Sequence, residues 1–301
     1  MRVSLVRSIL GLAVLFTTLT TLTLSGQGEE KTRETAVASP GTARFKVKAI
    51  KDIAYYDGPD AHATKHKLDL FLPQGVKNFP VLFFVHGGAW RRGDKSFLGV
   101  YSGLGHFYAS RGIGAVITNY RLSPAVKHPE HIKDVARAFA WTYNNIARRG
   151  GDPREIFVCG HSAGGHLVAL LATDEQYLKK FKLSARQIRG VIPISGVYRI
   201  PDHFLRSVFG TDEKVVRLAS PIAHVHKELP PFLILYADHD LPACGKEPSE
   251  AFARALKAKG NEVQTREITD SNHFFTLVHA GIPDTVASRA VLEFITRHAR
   301  K

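Results

Sequence analysis

From residue 45 onward the chain alternates between short, nearly unbroken apolar runs and longer stretches with helical spacing. Strands are predicted over 47–56, 67–72, 81–85, 114–119, 155–159, 190–194, 232–236 and 262–268, and helices over 99–110, 129–149, 163–173, 248–259 and 284–300. Runs such as Val81-Leu82-Phe83-Phe84-Val85 and Phe232-Leu233-Ile234-Leu235-Tyr236 have no polar alternate positions. A strand with one solvated face alternates; a strand buried on both faces does not, which is the condition of a parallel sheet lying between helices. The first two strands read as a hairpin-like pair and the later ones as strand–helix–strand units. The expected fold class is therefore α/β: a mostly parallel, eight-stranded, doubly wound sheet with helices on both faces. Gly150-Gly151-Asp152-Pro153 is expected to end the second long helix as a turn. In such sheets ligands bind outside the carboxyl ends of the strands, so the chemistry is sought there.

The start of the chain follows a different pattern. Arg2 and Arg7 precede an apolar run over 9–16, which a Thr/Leu stretch carries to Leu24 before Ser25, Gly26 and the polar Gln27-Gly28-Glu29-Glu30. This is the layout of a secretory signal peptide, so residues 1–26 are expected to be one, with the mature chain secreted or periplasmic. An uncleaved anchor is the alternative, but the threonines make a poor membrane span. Residues 27–44 are polar, contain Pro40-Gly41 and read as a flexible linker; 45–301 reads as one domain without internal repeats.

Composition adds little to this picture. The 301 residues are 44% hydrophobic and 23% charged, as in ordinary globular chains, and the formal net charge is +14. The basic residues are scattered rather than blocked and carry no RNA-binding motif, so no nucleic-acid partner is expected. Two cysteines, Cys159 and Cys244, make no disulfide framework; Cys159 falls in a buried strand, and a pairing between them is left open. His62 with His66, His224 with His226, and Asp238-His239-Asp240 do not form a closed zinc-type ligand set. No dinucleotide fingerprint or phosphate loop is present, so neither metal nor cofactor is expected.

Strand 155–159 runs directly into Gly160-His161-Ser162-Ala163-Gly164 and then into a helix. Glycines make turns and serines cap helices. A G-x-S-x-G between strand and helix is more specific: the glycines let the two elements close around a tight turn, and the serine is held strained with its Oγ outward. The helix N-terminus behind it favours developing negative charge. Ser162 is thus the candidate nucleophile. Upstream, His86-Gly87-Gly88-Ala89-Trp90 follows another strand; its small residues let backbone N–H groups approach a reacting carbonyl and join that of Ala163 in an oxyanion hole.

Such a serine needs a base, and the base an acid to orient it. Of fifteen histidines, His273 stands on an expected loop after the last strand and late in the chain. His279 lies too near the last helix, and His239 stands beside the acid. His161 sits in the elbow and points elsewhere; His166, His224 and His226 are read as packing, pocket or surface residues. The acid follows strand 232–236, where Asp238 and Asp240 are both available.

These residues together resemble the α/β-hydrolase superfamily. The chain is most similar to the esterase branch of hormone-sensitive-lipase-like carboxylesterases, bacterial feruloyl-esterase-like proteins and kynurenine formamidases. The resemblance is carried by residues 86–90, Asn119-Tyr120-Arg121-Leu122-Ser123-Pro124, Gly150-Gly151-Asp152-Pro153, residues 160–166, Ala219-Ser220-Pro221-Ile222 and His273-Phe274. It implies an α/β-hydrolase fold and ester hydrolysis. In the family the acid stands three residues after a glycine; Ala237 occupies that place here, which implies Asp240 and leaves Asp238 as the alternative. The oxyanion donors implied are Gly88, Ala89 and Ala163, and Trp90, His161 and Phe274 are expected at the substrate. The expected partner is a small-molecule ester, with arylformamidase action and a non-catalytic protein of the same fold as rivals.

Residues 197–212, with Ile200, Phe204, Leu205, Val208 and Phe209, are read as a pocket wall or partial lid. The stretch is short, so small acyl or aryl esters are expected rather than long lipids. By resemblance, acetyl or feruloyl esters of plant polysaccharide are the natural class.

Overall fold

The computed structural model describes residues 45–201 and 205–300. The expected signal peptide, the linker and Phe204 lie outside the described residues.

Eight strands form one sheet: β1 (Val47–Ala54), β2 (Lys67–Pro73), β3 (Phe79–Val85), β4 (Gly114–Thr118), β5 (Gly151–His161), β6 (Gly190–Ile194), β7 (Phe232–His239) and β8 (Val263–Asn272). Their spatial order is β1-β2-β4-β3-β5-β6-β7-β8. β1 pairs with β2 and β2 with β4 antiparallel; every later pairing is parallel. The helices are α1 (Val100–Ala109), α2 (Glu130–Asn145), α3 (Ala163–Thr173), α4 (Gln176–Lys179), α5 (Arg206–Phe209), α6 (Glu213–Leu218), α7 (Lys246–Ala258), α8 (His273–His279) and α9 (Val286–His298).

The unbroken apolar strands are explained by two cores, one on each face. Val81, Phe83 and Val85 of β3 pack with α2, α3 and α7, while Leu82 and Phe84 face α1, α8 and α9. Every residue of β3 is buried, and all eleven of α3 are too. The two polar side chains of this buried helix are paired: His166 with Trp90 and the Ala219 carbonyl, and the Thr173 hydroxyl with the Ala169 carbonyl.

Two expectations change. Residues 151–153 are the start of β5 rather than a turn, because Gly151 pairs with Phe79 and carries the sheet below the apolar run. The short helices α4, α5, α6 and α8 are absent from the sequence reading, since four to seven residues span too few turns to show a period. Among the described residues no helix is long and apolar enough to cross a membrane.

Candidate active site

β5 ends at His161, α3 begins at Ala163, and Ser162 stands between them at φ 57°, ψ −119°. This backbone region is costly for a residue with a Cβ, by about 1–3 kcal/mol, and persists only where the surroundings over-determine it. Here they do. The Ser162 N–H donates to the Ile194 carbonyl at 2.9 Å, and the Ser162 carbonyl accepts from His166 N at 3.0 Å. A Cβ on Gly160 would meet the Gly164 carbonyl oxygen at 2.3 Å, and one on Gly164 would meet the Val85 carbonyl oxygen at 2.1 Å. The glycines of the elbow are therefore required by the close approach of β3, β5 and α3, and the serine is left half-buried with its side chain facing out of the sheet.

His273 reaches this serine from the carboxyl end of the edge strand β8. Its Nε2 lies 2.9 Å from Ser162 Oγ and its Nδ1 lies 2.6 Å from Asp240 Oδ1. It is the first residue of α8 rather than a loop residue, because the Asn272 side chain accepts from Phe274 N and Phe275 N and so starts a helix at once.

The two candidate acids have different partners. Asp240 Oδ2 accepts from Ser195 Oγ at 2.6 Å and Ala237 N at 3.0 Å, and Oδ1 accepts from Leu241 N at 2.8 Å. Its side chain is 1% exposed. Burial pushes its pKa up, but the hydrogen bonds from His273, Ser195 and Ala237 outweigh burial and hold it below the ordinary carboxylate value. Asp238 instead accepts the backbone N–H groups of Asp270 (2.8 Å) and Ser271 (3.0 Å), which lower it to about 2. It braces the turn that delivers His273 and does not touch the ring.

The loop after β3 closes the site from the third side. Gly88, Ala89 and Trp90 all have positive φ (119°, 52° and 56°), so the chain turns sharply beneath the serine. Gly88 O accepts from Arg91 N and Arg92 N, and Gly87 is fixed at both ends: its N–H donates to Tyr101 Oη at 3.3 Å and its carbonyl accepts from His86 Nδ1 at 2.7 Å. Burial pushes His86 down to about 4, so the ring is neutral. Among the described residues the N–H groups of Gly88, Ala89 and Ala163 have no acceptor, which leaves them available to a ligand.

This geometry can be set beside known proteins. The BD-FAE family model matches residues 68–256. The chain belongs to the BD-FAE family. It is an α/β-hydrolase esterase of the hormone-sensitive-lipase-like and feruloyl-esterase-like type. Esterase LipQ of Mycobacterium tuberculosis is 33% identical over 297 residues, covering 90% of this chain and 68% of LipQ. The isoprenylcysteine alpha-carbonyl methylesterase ICME of Arabidopsis thaliana is 32% identical, over 73% of this chain but only 55% of ICME, so the chain spans little more than half of that relative. In fold, esterase B of Lactobacillus rhamnosis is similar with a TM-score of 0.69 at 22% identity, covering 83% of this chain and 86% of that one.

In this BD-FAE esterase a cleft of about 570 Å³ opens beside Ser162, walled by Ala89, Trp90, Val197, Pro201, Leu241, Pro242, Ala243 and Cys244. Trp90 belongs to the wall, yet it is 2% exposed and held from behind. Its Nε1–H faces His166 Nδ1 at 3.3 Å, and its ring meets His166 and Phe209 edge-on at 5.0 Å. His166, pushed by burial to about 3, is neutral; with Nδ1 accepting, Nε2 donates to the Ala219 carbonyl. His161 is not on the wall. It too is held neutral by burial, at about 3, and its Nε2 lies 2.7 Å from the His273 carbonyl, tying the elbow to His273 through the backbone. Phe274 is 40% exposed beside Phe275 and also lies off the wall. Of the expected pocket stretch, Val197 and Pro201 reach the cleft, while Ile200, Val208 and Phe209 are buried in the core.

Ser195 and Cys244 were not singled out for the site by sequence. Ser195 stands just past the end of β6, a carboxyl strand end like the others that bear site residues, and that was its available signal. Cys244 had none; it comes to the cleft because the chain turns back after Asp240, with Cys244 N donating to the Leu241 carbonyl at 2.8 Å.

Proposed function

We propose that this esterase cleaves carboxyl esters by a two-step acyl transfer through Ser162, His273 and Asp240. The observation that carries the reading is the unbroken hydrogen-bonded line from Asp240 Oδ1 to His273 Nδ1 and from His273 Nε2 to Ser162 Oγ, ending at an apolar cleft. With Nδ1–H donated to the carboxylate, Nε2 carries the lone pair that accepts the serine proton. Ser162 Oγ adds to the ester carbonyl carbon, and the carbonyl oxygen takes the negative charge. The N–H groups of Gly88, Ala89 and Ala163 receive that charge, aided by the N-terminus of α3. His273 then gives its proton to the leaving alcohol, and water, activated the same way, releases the acid and restores the serine.

The wall of alanine, proline, leucine and valine suits a small acyl or aryl group, and among the described residues it offers no charged partner to it. Acetyl and feruloyl esters of plant polysaccharide are the proposed natural class, with the apolar leader at 1–26 exporting the enzyme. The test is labelling by a serine-reactive fluorophosphonate together with a panel of p-nitrophenyl esters of rising chain length, methyl ferulate, acetyl-xylan, a prenylcysteine methyl ester and N-formylkynurenine. Labelling at Ser162 with fastest turnover of short acyl or aryl esters is expected. No labelling would point to a non-catalytic protein, and preference for N-formylkynurenine to an arylformamidase.

A further inference from the structure

We propose that the cleft carries an inhibitory site for a soft divalent cation, made by Cys244, His273 and Asp240. One ligand atom from each of these three side chains lies within 4.8 Å of the others. Thirty-odd residues separate the ends of this set in sequence, so no ligand spacing advertises it; the turn after β7 and the start of α8 bring it together. A thiolate, an imidazole and a carboxylate are the donors that zinc and cadmium select. Tetrahedral bonds of about 2.0–2.3 Å place ligand atoms roughly 3.3–3.8 Å apart, so side-chain rotation of less than about 1.5 Å closes the set. Asp240 keeps Oδ2 on Ser195 and Ala237 while Oδ1 turns to the ion. Cys244, though only 3% exposed, lines the cleft, so an ion would reach it from the cleft side. Cys159, the other thiol, is buried within β5 and has no such access.

Binding releases the Cys244 thiol proton to solvent, while the neutral His273 ring keeps its one N–H on the nitrogen that does not take the ion, and forms one metal–sulfur, one metal–nitrogen and one metal–oxygen bond, with no redox change. Burial and the neighbouring Asp240 push the free thiol up to about 12, so the thiol stays protonated until an ion displaces the proton. Either ring nitrogen of His273 serves the same end. Taking Nδ1 removes its hydrogen bond to Asp240, and taking Nε2 removes its hydrogen bond to Ser162. The ion is an inhibitor, not a cofactor. Inhibition, though not binding, rests on the reading of His273 as the base.

The test uses the metal-free full chain beside Cys244→Ser and Cys244→Ala. Cadmium is titrated and the ultraviolet sulfur-to-cadmium charge-transfer band is followed; zinc inhibition of p-nitrophenyl acetate hydrolysis is measured against each protein's own metal-free rate. The parent should show the band, and both variants should lose it although Cys159 remains. The zinc concentration for half-inhibition should rise at least about tenfold in both variants. A parent without the band, or variants with unchanged zinc sensitivity, overturns the site. Fluorophosphonate labelling of the metal-free parent separates the two readings. Labelling without a band removes the cation site and leaves the hydrolytic reading, whereas a band without labelling removes the hydrolytic reading and leaves the cation site.

Discussion

Two corners meet at the cleft, and they are built by different means. The elbow at Ser162 is a backbone construction: a residue at φ 57° clamped between strands that only glycine lets approach. The corner that carries His273 is a side-chain construction. Asp238 holds Asp270 and Ser271, Asn272 starts α8, Ser195 and Ala237 hold Asp240, and Asp240 holds the ring. Steric exclusion leaves one residue type at a position, so the first corner is written as a motif. A hydrogen bond accepts several donors from several places, so the second is written as a scatter of Asp, Asn and Ser.

The contrast can be broken most severely at the elbow. Ser162→Ala is expected to fold as the parent does and to lose ester turnover by a factor on the order of 10⁴ or more, read as kcat/KM for p-nitrophenyl acetate. A variant keeping a tenth of parental turnover would move the nucleophile elsewhere. At the second corner, Asp240→Asn is expected to cost about 10³ to 10⁴ in kcat, because the amide no longer fixes the proton on Nδ1. Asp238→Asn should stay within roughly tenfold of the parent, since it acts only through the turn; the reverse ranking would exchange the two acids. Gly164→Ala is expected to lower stability by about 3 kcal/mol, because the new methyl faces the Val85 carbonyl and not a yielding side chain; the urea midpoint measures it.

A further prediction concerns stability against pH rather than turnover. Burial lowers His86 and His131 to about 4 and His161 and His166 to about 3, against an ordinary value of about 6.5. Between those values the unfolded chain binds protons that the native chain does not, so stability falls as pH drops through the window. The urea midpoint should be flat above pH of about 6.5 and decline steadily from there toward about 4. A midpoint unchanged across that range would mean these rings are charged in the native state.

The same division explains what was legible. The sheet, the five long helices and the elbow follow from unbroken apolar runs and from glycine, which act locally. His273 could be singled out by its place after a strand, but its helical setting depends on one Asn272 side chain, and Asp240 needed a family resemblance to be preferred over Asp238. His161 and Phe274 were expected at the substrate. His161 instead ties the elbow to His273, because burial keeps it neutral and its Nε2 finds a backbone carbonyl. Phe274 lies just past His273 on α8, and helical geometry turns it outward. Ser195 needed the sheet order itself, since it meets Asp240 only when β6 and β7 are neighbours, and Cys244 needed the turn after Asp240.

The end of β6 serves both corners at once. The Ile194 carbonyl holds the N–H of Ser162, and the next residue, Ser195, holds Asp240 while its own N–H is donated to Leu235. A shift of β6 by one residue would exchange inward and outward faces and detach Ser162 and Asp240 in the same event. The geometry of both corners is thereby tied to the docking of a single five-residue strand. During refolding, recovery of turnover should rise in step with the arrival of that strand, and a chain with every helix formed but β6 undocked would be enzymatically silent.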